Sequence, residues 1–189
     1  MPEDGRRPPI VLVFTGLPGT GKSTLAEKVA KIIKAPAFAG DWLMGALKPA
    51  GILAGLDRQT SLDLYYRLLQ TLTTRQLMLG QSAVLDCLAS DAVVADWRQH
   101  AAAFGARLVL VECVCSDERL HRVRVEGRQR HIPGWHEVDW DHVERMRTEF
   151  PPVRAKDLSL DAVNPLADNV ETVLTYIADS RRGIWNRGA

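Results

Sequence analysis

The chain has only three cysteines in 189 residues, Cys87, Cys113 and Cys115, too few and too odd a set for a disulfide framework. Cys113 and Cys115 alternate along an expected strand and share one face, where they read as small apolar residues rather than as a metal or redox pair. Neither sign of charge is in excess. With 24 basic and 23 acidic residues, no basic face points to nucleic acid and no Lys/Arg run points to a membrane surface. No apolar stretch is long enough to span a bilayer. The opening residues, Met1-Pro-Glu-Asp-Gly-Arg-Arg-Pro-Pro, lack the apolar centre of a signal peptide. These absences predict a cytoplasmic protein with neither nucleic acid nor membrane as partner, and leave monomer and homodimer both open.

The remainder is ordinary for a globular domain: 46% apolar and 25% charged residues. A single domain is expected over 10–180, between a flexible 1–9 and a tail at 181–189. Against that background one segment stands out. Gly16-Leu-Pro-Gly-Thr-Gly-Lys-Ser23 fits the phosphate-loop pattern G-x-x-x-x-G-K-[ST]. The buried-strand run Ile10-Val11-Leu12-Val13-Phe14 precedes it, and a helical pattern (Leu25, Ala26, Val29, Ile32, Ile33) follows. Glycine lets such a loop turn tightly, and N–H groups at a helix start favour an anion. Gly16, Pro18, Gly19, Thr20, Gly21 and Thr24 are therefore expected around phosphates, with Lys22 reaching the outer ones and the Ser23 hydroxyl ligating Mg²⁺.

Strand and helix alternate along the rest. Strands are predicted at Ala37–Ala39, Ser82–Asp86, Arg107–Val114 and Leu158–Val163. The intervening helices are expected from the Thr60-x-x-Asp63 capping signature to Gly80, over Asp91 to Phe104, after a Ser116 cap, over Trp140 to Phe150, and after Asn164-Pro165. Five strands alternating with helices imply a parallel sheet with right-handed crossovers, an α/β fold. Ligands of such sheets sit beyond the carboxyl ends of the strands. The second strand delivers Asp41 there, able to take the proton of an attacking hydroxyl or to cap a helix at Trp42–Leu47. The third delivers Asp86, suited to hold Mg²⁺. Arg119, Arg122, Arg124, Arg128 and Arg130 crowd one segment. Of these, Arg124 and Arg128 are expected to share a helix face and close over phosphates. The loop from Arg130 to His136, with Trp135, reads as a lid, so the lid spans about 124–150. His131, His136 and His142 lack a metal-site spacing.

Taken together, Gly16–Thr24, Gly40-Asp41, Val84-Leu85-Asp86 and Arg124-x-x-x-Arg128 resemble P-loop small-molecule kinases of the adenylate-kinase-like group. The closest look is to the zeta-toxin and chloramphenicol-phosphotransferase-like branch of AAA-type predicted kinases. The resemblance implies a P-loop three-layer α/β/α fold with strand order 2-3-1-4-5, ATP and Mg²⁺ as cofactors, and Asp41 as base. It further implies lid roles for Arg124 and Arg128, and adenine packing at the turn holding Ala162 and Pro165. Two departures bear on the acceptor. Met44 stands where many relatives carry arginine, and Asp86-Cys87-Leu88-Ala89 is not the Asp-Gly-x-Pro-Arg of nucleoside monophosphate kinases. The expected acceptor is therefore a hydroxyl-bearing, partly apolar small molecule in a pocket of Trp42, Leu43, Met44, Tyr65 and Tyr66. The competing reading is a nucleotide-binding ATPase or switch without an acceptor, though Ala89 and Cys113–Asp117 do not match GTPase motifs.

Overall fold

The computed structural model describes residues 8–185. Its centre is the strand β1 (Ile10–Thr15), every residue of which is buried. Two flanking strands, β3 (Ala83–Asp86) and β4 (Arg107–Val114), pair with it in parallel. The short β2 (Ala37–Ala39) and β5 (Leu158–Asp161) form the edges, giving the order β2-β3-β1-β4-β5. A central parallel strand is covered on both faces, so it reads as a continuous apolar run. The pleat sorts that run. Ile10, Leu12 and Phe14 face a core shared with Leu25, Val29 and Val173, while Val11 and Val13 face one shared with Leu69, Val94 and Trp97.

Seven α-helices complete the described residues. α1 (Lys22–Ile33) and α7 (Leu166–Trp185) cover the first face. α3 (Arg58–Met78) and α4 (Asp91–Ala103) cover the second. α2 (Gly40–Leu47), α5 (Glu118–Glu126) and α6 (Trp140–Glu149) lie near the carboxyl ends of the strands. This is the α/β/α architecture and strand order expected of a P-loop NTPase.

Several boundaries differ from the sequence expectation, each for a local reason. Asp57, not Thr60, caps α3, its carboxylate accepting from the Thr60 N–H at 2.9 Å. Asp117, not Ser116, caps α5, accepting from Leu120 N at 2.9 Å, while Ser116 N donates to Asp161. In both cases a neighbouring carboxylate has the better geometry. Asp41 is not a cap either; it sits in the first turn of α2, behind Ala39. β5 ends at Asp161 because Ala162–Pro165 turns. α7 continues to Trp185, past residue 180 where the tail was expected; 1–7 and 186–189 lie outside the described residues.

Candidate active site

Register brings the functional residues together. Asp86, last in β3, lies opposite Phe14 of β1 on one side and Ala39 of β2 on the other. Two residues beyond Phe14 the phosphate loop begins, and two beyond Ala39 is Asp41. The cluster is electrically close-knit. The Cys87 thiol is pushed up by burial and then by Asp86, an effect that Lys22 opposes and Asp41 adds to. Tyr65 is likewise raised by burial, with Asp41 and Asp86 contributing. Lys22 itself is only 9% exposed. Asp86 Oδ1 is buried with no hydrogen-bond partner among the described residues. An orphaned carboxylate oxygen is costly unless something fills its place.

The phosphate loop is a turn built on positive φ. Gly16 has φ 146° and packs its Cα against the Cys113 carbonyl, where a Cβ would collide, and Gly21, at φ 77°, leads into α1. Thr20 Oγ1 donates to Leu17 O at 2.8 Å and closes the loop. Beside it runs a cleft of about 410 Å³ lined by the run Gly19–Thr24 together with Arg124, Arg128 and Ala162. Gly16 and Pro18 belong to the loop's other side, and Asn164 and Leu166 line the cleft on either side of Pro165. Gly16 instead borders a second cavity of about 160 Å³, which it shares with Leu17, Glu112, His121, Arg147 and Phe150.

The two expected lid arginines part company. Arg124, in the last turn of α5, donates to Ala162 O at 3.1 Å, at the far end of the cleft. Arg128 lies past the end of α5, so the two are not on one helix. Burial, then the nearby Arg130, weakens the proton's hold on its guanidinium, while Asp41 and Asp86 strengthen it. Arg128 therefore stands at the carboxylate end and Arg124 at the β5 end.

One residue passed over in the sequence is central here. Arg130 Nη1 forms an ion pair with Asp41 Oδ2. Its own N–H donates to Glu137 Oε1 at 2.8 Å, and Nη2 donates to His136 O at 3.3 Å. Arg130 lies in an irregular stretch where no periodicity marks it, and its partner is distant in sequence. The segment around it is seated on α2. Ile132 is buried, and a Cβ on Gly45 would stand 2.6 Å from Pro133 O. The side chains expected to wall the acceptor pocket are placed unequally. Met44 is 4% exposed in the interior, and Tyr66 packs edge-on between Tyr65 and Trp97 at centroid distances of 5.2 and 5.9 Å. Trp42 is half exposed. Helical spacing reports which residues share a face, not what covers that face.

Other candidates are structural. Glu112 ion-pairs with Lys156 at 2.5 Å and accepts from Val153 N. The buried Cys113 thiol is pushed up to about 12, chiefly by desolvation, and Cys115 lies beyond the end of β4. No group of three or more His, Cys, Asp or Glu residues suited to a metal occurs among the described residues. No described helix is long and apolar enough to cross a membrane.

A glycine-built phosphate loop between a central parallel strand and its helix, with a lysine and a strand-end carboxylate beside it, defines a P-loop NTPase. Residues 11–153 match the model of the AAA domain family, and the chain belongs to that family. A search of curated proteins gives no match. Among solved structures the chain is similar to a gluconokinase from Sinorhizobium meliloti 1021, with TM-score 0.69 and 20% identity over 97% of this chain and 100% of that one. It is similar to the Mycobacterium tuberculosis APS kinase CysC in complex with AMPPNP and APS, with TM-score 0.64 and 18% identity over 91% and 98% of the two chains. Shikimate kinase from Aquifex aeolicus follows at TM-score 0.61 and 13% identity over 90% and 97%. At these identities the likeness is one of fold, and the fold is kinase-like.

Proposed function

We propose that this protein is an ATP-dependent phosphotransferase that moves the γ-phosphate to a hydroxyl of a small molecule. The observation that carries the reading is the convergence of Lys22, at the start of α1, with Asp86 at the end of β3 and Asp41 in the first turn of α2, all at the carboxyl edge of three adjacent strands. A bare nucleotide switch has no use for the third of these. The similar structures support it, since their names are those of kinases acting on small molecules. The order of Gly40-Asp41, Asp86 and the arginine segment supports placing the chain in the zeta-toxin and chloramphenicol-phosphotransferase-like branch.

The nucleotide lies in the 410 Å³ cleft, its base toward Ala162 and Pro165 beneath Arg124, its phosphates on the N–H groups of 19–24. Lys22 and Arg128 meet the outer phosphates. Asp86 Oδ1, lacking a partner, and the Ser23 hydroxyl fit Mg²⁺, which would neutralise charge developing on the phosphates. Asp41 Oδ2 is held by Arg130, leaving Oδ1 to accept the acceptor's proton. The hydroxyl oxygen bonds to phosphorus as the bond to the bridging oxygen breaks and ADP leaves. Because Met44 and Tyr66 are committed to packing and Arg130 pairs with Asp41, the acceptor is more polar than the sequence alone implies.

The test is a screen of hydroxyl compounds with MgATP. Asp41→Asn should keep MgATP affinity and lose transfer by about 10²–10⁴-fold. Normal transfer by this variant sinks the base assignment. ATP hydrolysis that no compound accelerates favours the acceptor-free ATPase.

A further inference from the structure

A small satellite cluster lies beneath the phosphate loop. Leu17 of the loop packs with Val125 of α5, Val138, and Trp140 and Val143 of α6. Against it sits His121 of α5, 2% exposed. Its ring meets Trp140 edge-on, with centroids 5.1 Å apart, and its Nε2 lies 2.7 Å from the Pro18 carbonyl oxygen. A carbonyl only accepts, so Nε2 carries the hydrogen. The next residue, Gly19, has φ 87°, and a Cβ on it would stand 2.6 Å from Val125 Cγ2 and 2.9 Å from His121 Cδ2. The apex of the loop therefore rests directly on α5.

The peptide bond makes this contact consequential. Pro18 C=O and Gly19 N–H share one rigid plane and, in a trans peptide, point in opposite directions. Holding the carbonyl on one side aims the N–H on the other. Gly19 lines the 410 Å³ cleft, and its N–H has no hydrogen-bond partner among the described residues.

We infer that His121 is a positioning residue of the nucleotide site: by gripping Pro18 O it fixes the Gly19 N–H toward the phosphates. The inference rests on the reading of this loop as the nucleotide seat. A loop that reorients freely must be ordered anew at each binding event, whereas one held from behind is preorganised. His121 does this without touching the ligand, and its contact with Trp140 ties the same grip to α6.

The experiment compares His121→Phe, which keeps an aromatic ring against Trp140 and drops the donor, with His121→Gln, which keeps a donor. MgATP affinity is read by calorimetry and ligand-free stability by thermal melting. His121→Phe should bind MgATP about tenfold more weakly, the scale of one hydrogen bond. Its ligand-free midpoint should move by no more than about 4 °C. His121→Gln should recover most of the affinity. His121→Phe binding as well as the parent, or His121→Gln binding as poorly as His121→Phe, overturns the inference. Should His121→Phe not fold, His121→Leu takes its place with the same expected and overturning results. A parent protein that gives no MgATP signal removes the nucleotide reading itself, an outcome distinct from an unchanged variant.

Discussion

The two halves of the candidate site are built in opposite ways. On the nucleotide side, one unbroken stretch from Ile10 to Ile33 supplies strand, loop and helix, and distant residues such as His121, Arg124 and Ala162 only support or wall it. On the acceptor side, Asp41 of α2 meets Arg130 across 89 residues, and the segment carrying Arg130 is held by α2 and by its own Glu137. A locally built half is specified by its motif and stays formed as long as the sheet does. A half assembled from distant segments depends on contacts that single substitutions undo. The nucleotide half should therefore lose chemistry without losing shape, and the acceptor half should lose shape first.

The sharpest break lies in the nucleotide half. Lys22→Ala should lower transfer by about 10²–10³-fold, the usual cost of removing one preorganised charge partner of a transition state. Its thermal midpoint should stay close to the parent if, as proposed, the ammonium serves phosphate rather than the core. A collapsed melting temperature would show that Lys22 is structural and would erase the contrast.

Next comes the seat of the distant segment. Gly45→Val puts a side chain where Pro133 O, Ile132 and Trp135 already sit. Overpacking of this kind costs about 1–3 kcal/mol, and the segment, having few anchors, gives way before the sheet does. Chymotryptic cleavage after Trp135 should rise about tenfold or more, while MgATP affinity is unchanged. Equal loss on both sides would mean that the halves are one mechanical unit.

The same contrast explains what the sequence made legible. The buried run of β1 and the phosphate loop were readable because apolar runs and glycine spacing are local signals, whereas the strand order came with the family resemblance. Helix caps were read one to three residues off, since Asp57 and Asp117 stand beside equally eligible oxygens. Asp86 was legible from its place at a strand end; its orphaned Oδ1 was not, since that depends on packing. Arg130 was one of five arginines with nothing to single it out. Met44 and Tyr66 were read as pocket walls because periodicity cannot tell an open face from a covered one.

Arg130→Gln tests the distant pair with a smaller effect. A hydrogen bond to a charged group contributes about 1.5–3 kcal/mol when well buried. Asp41 is a third exposed, so the lower end applies, and acceptor kcat/KM should fall about tenfold. Arg130→Lys should not restore it, since an ammonium cannot reproduce a fork that reaches Asp41 and His136 O together. Full rescue by lysine would reduce the contact to simple charge pairing.

The smallest effect should come from Glu137→Gln, and its sign depends on pH. Partial burial would raise the Glu137 carboxyl, but the Arg130 N–H, the Arg130 charge and the His131 N–H outweigh it and hold the group below its ordinary 4.5. A carboxyl lowered in the folded state adds stability that is complete above its unfolded value and is lost as pH falls through the folded one. Around neutrality, then, the parent should hold the 127–139 segment more firmly than Glu137→Gln, by a few-fold in proteolysis rate, as expected where the carboxylate is nearly half exposed. Once pH has fallen well below that lowered folded value the two should converge, because the parent is by then neutral as well. A difference that persists in acid would mean that Glu137 acts through its shape, and that the distant half is held by packing on α2 rather than by charge.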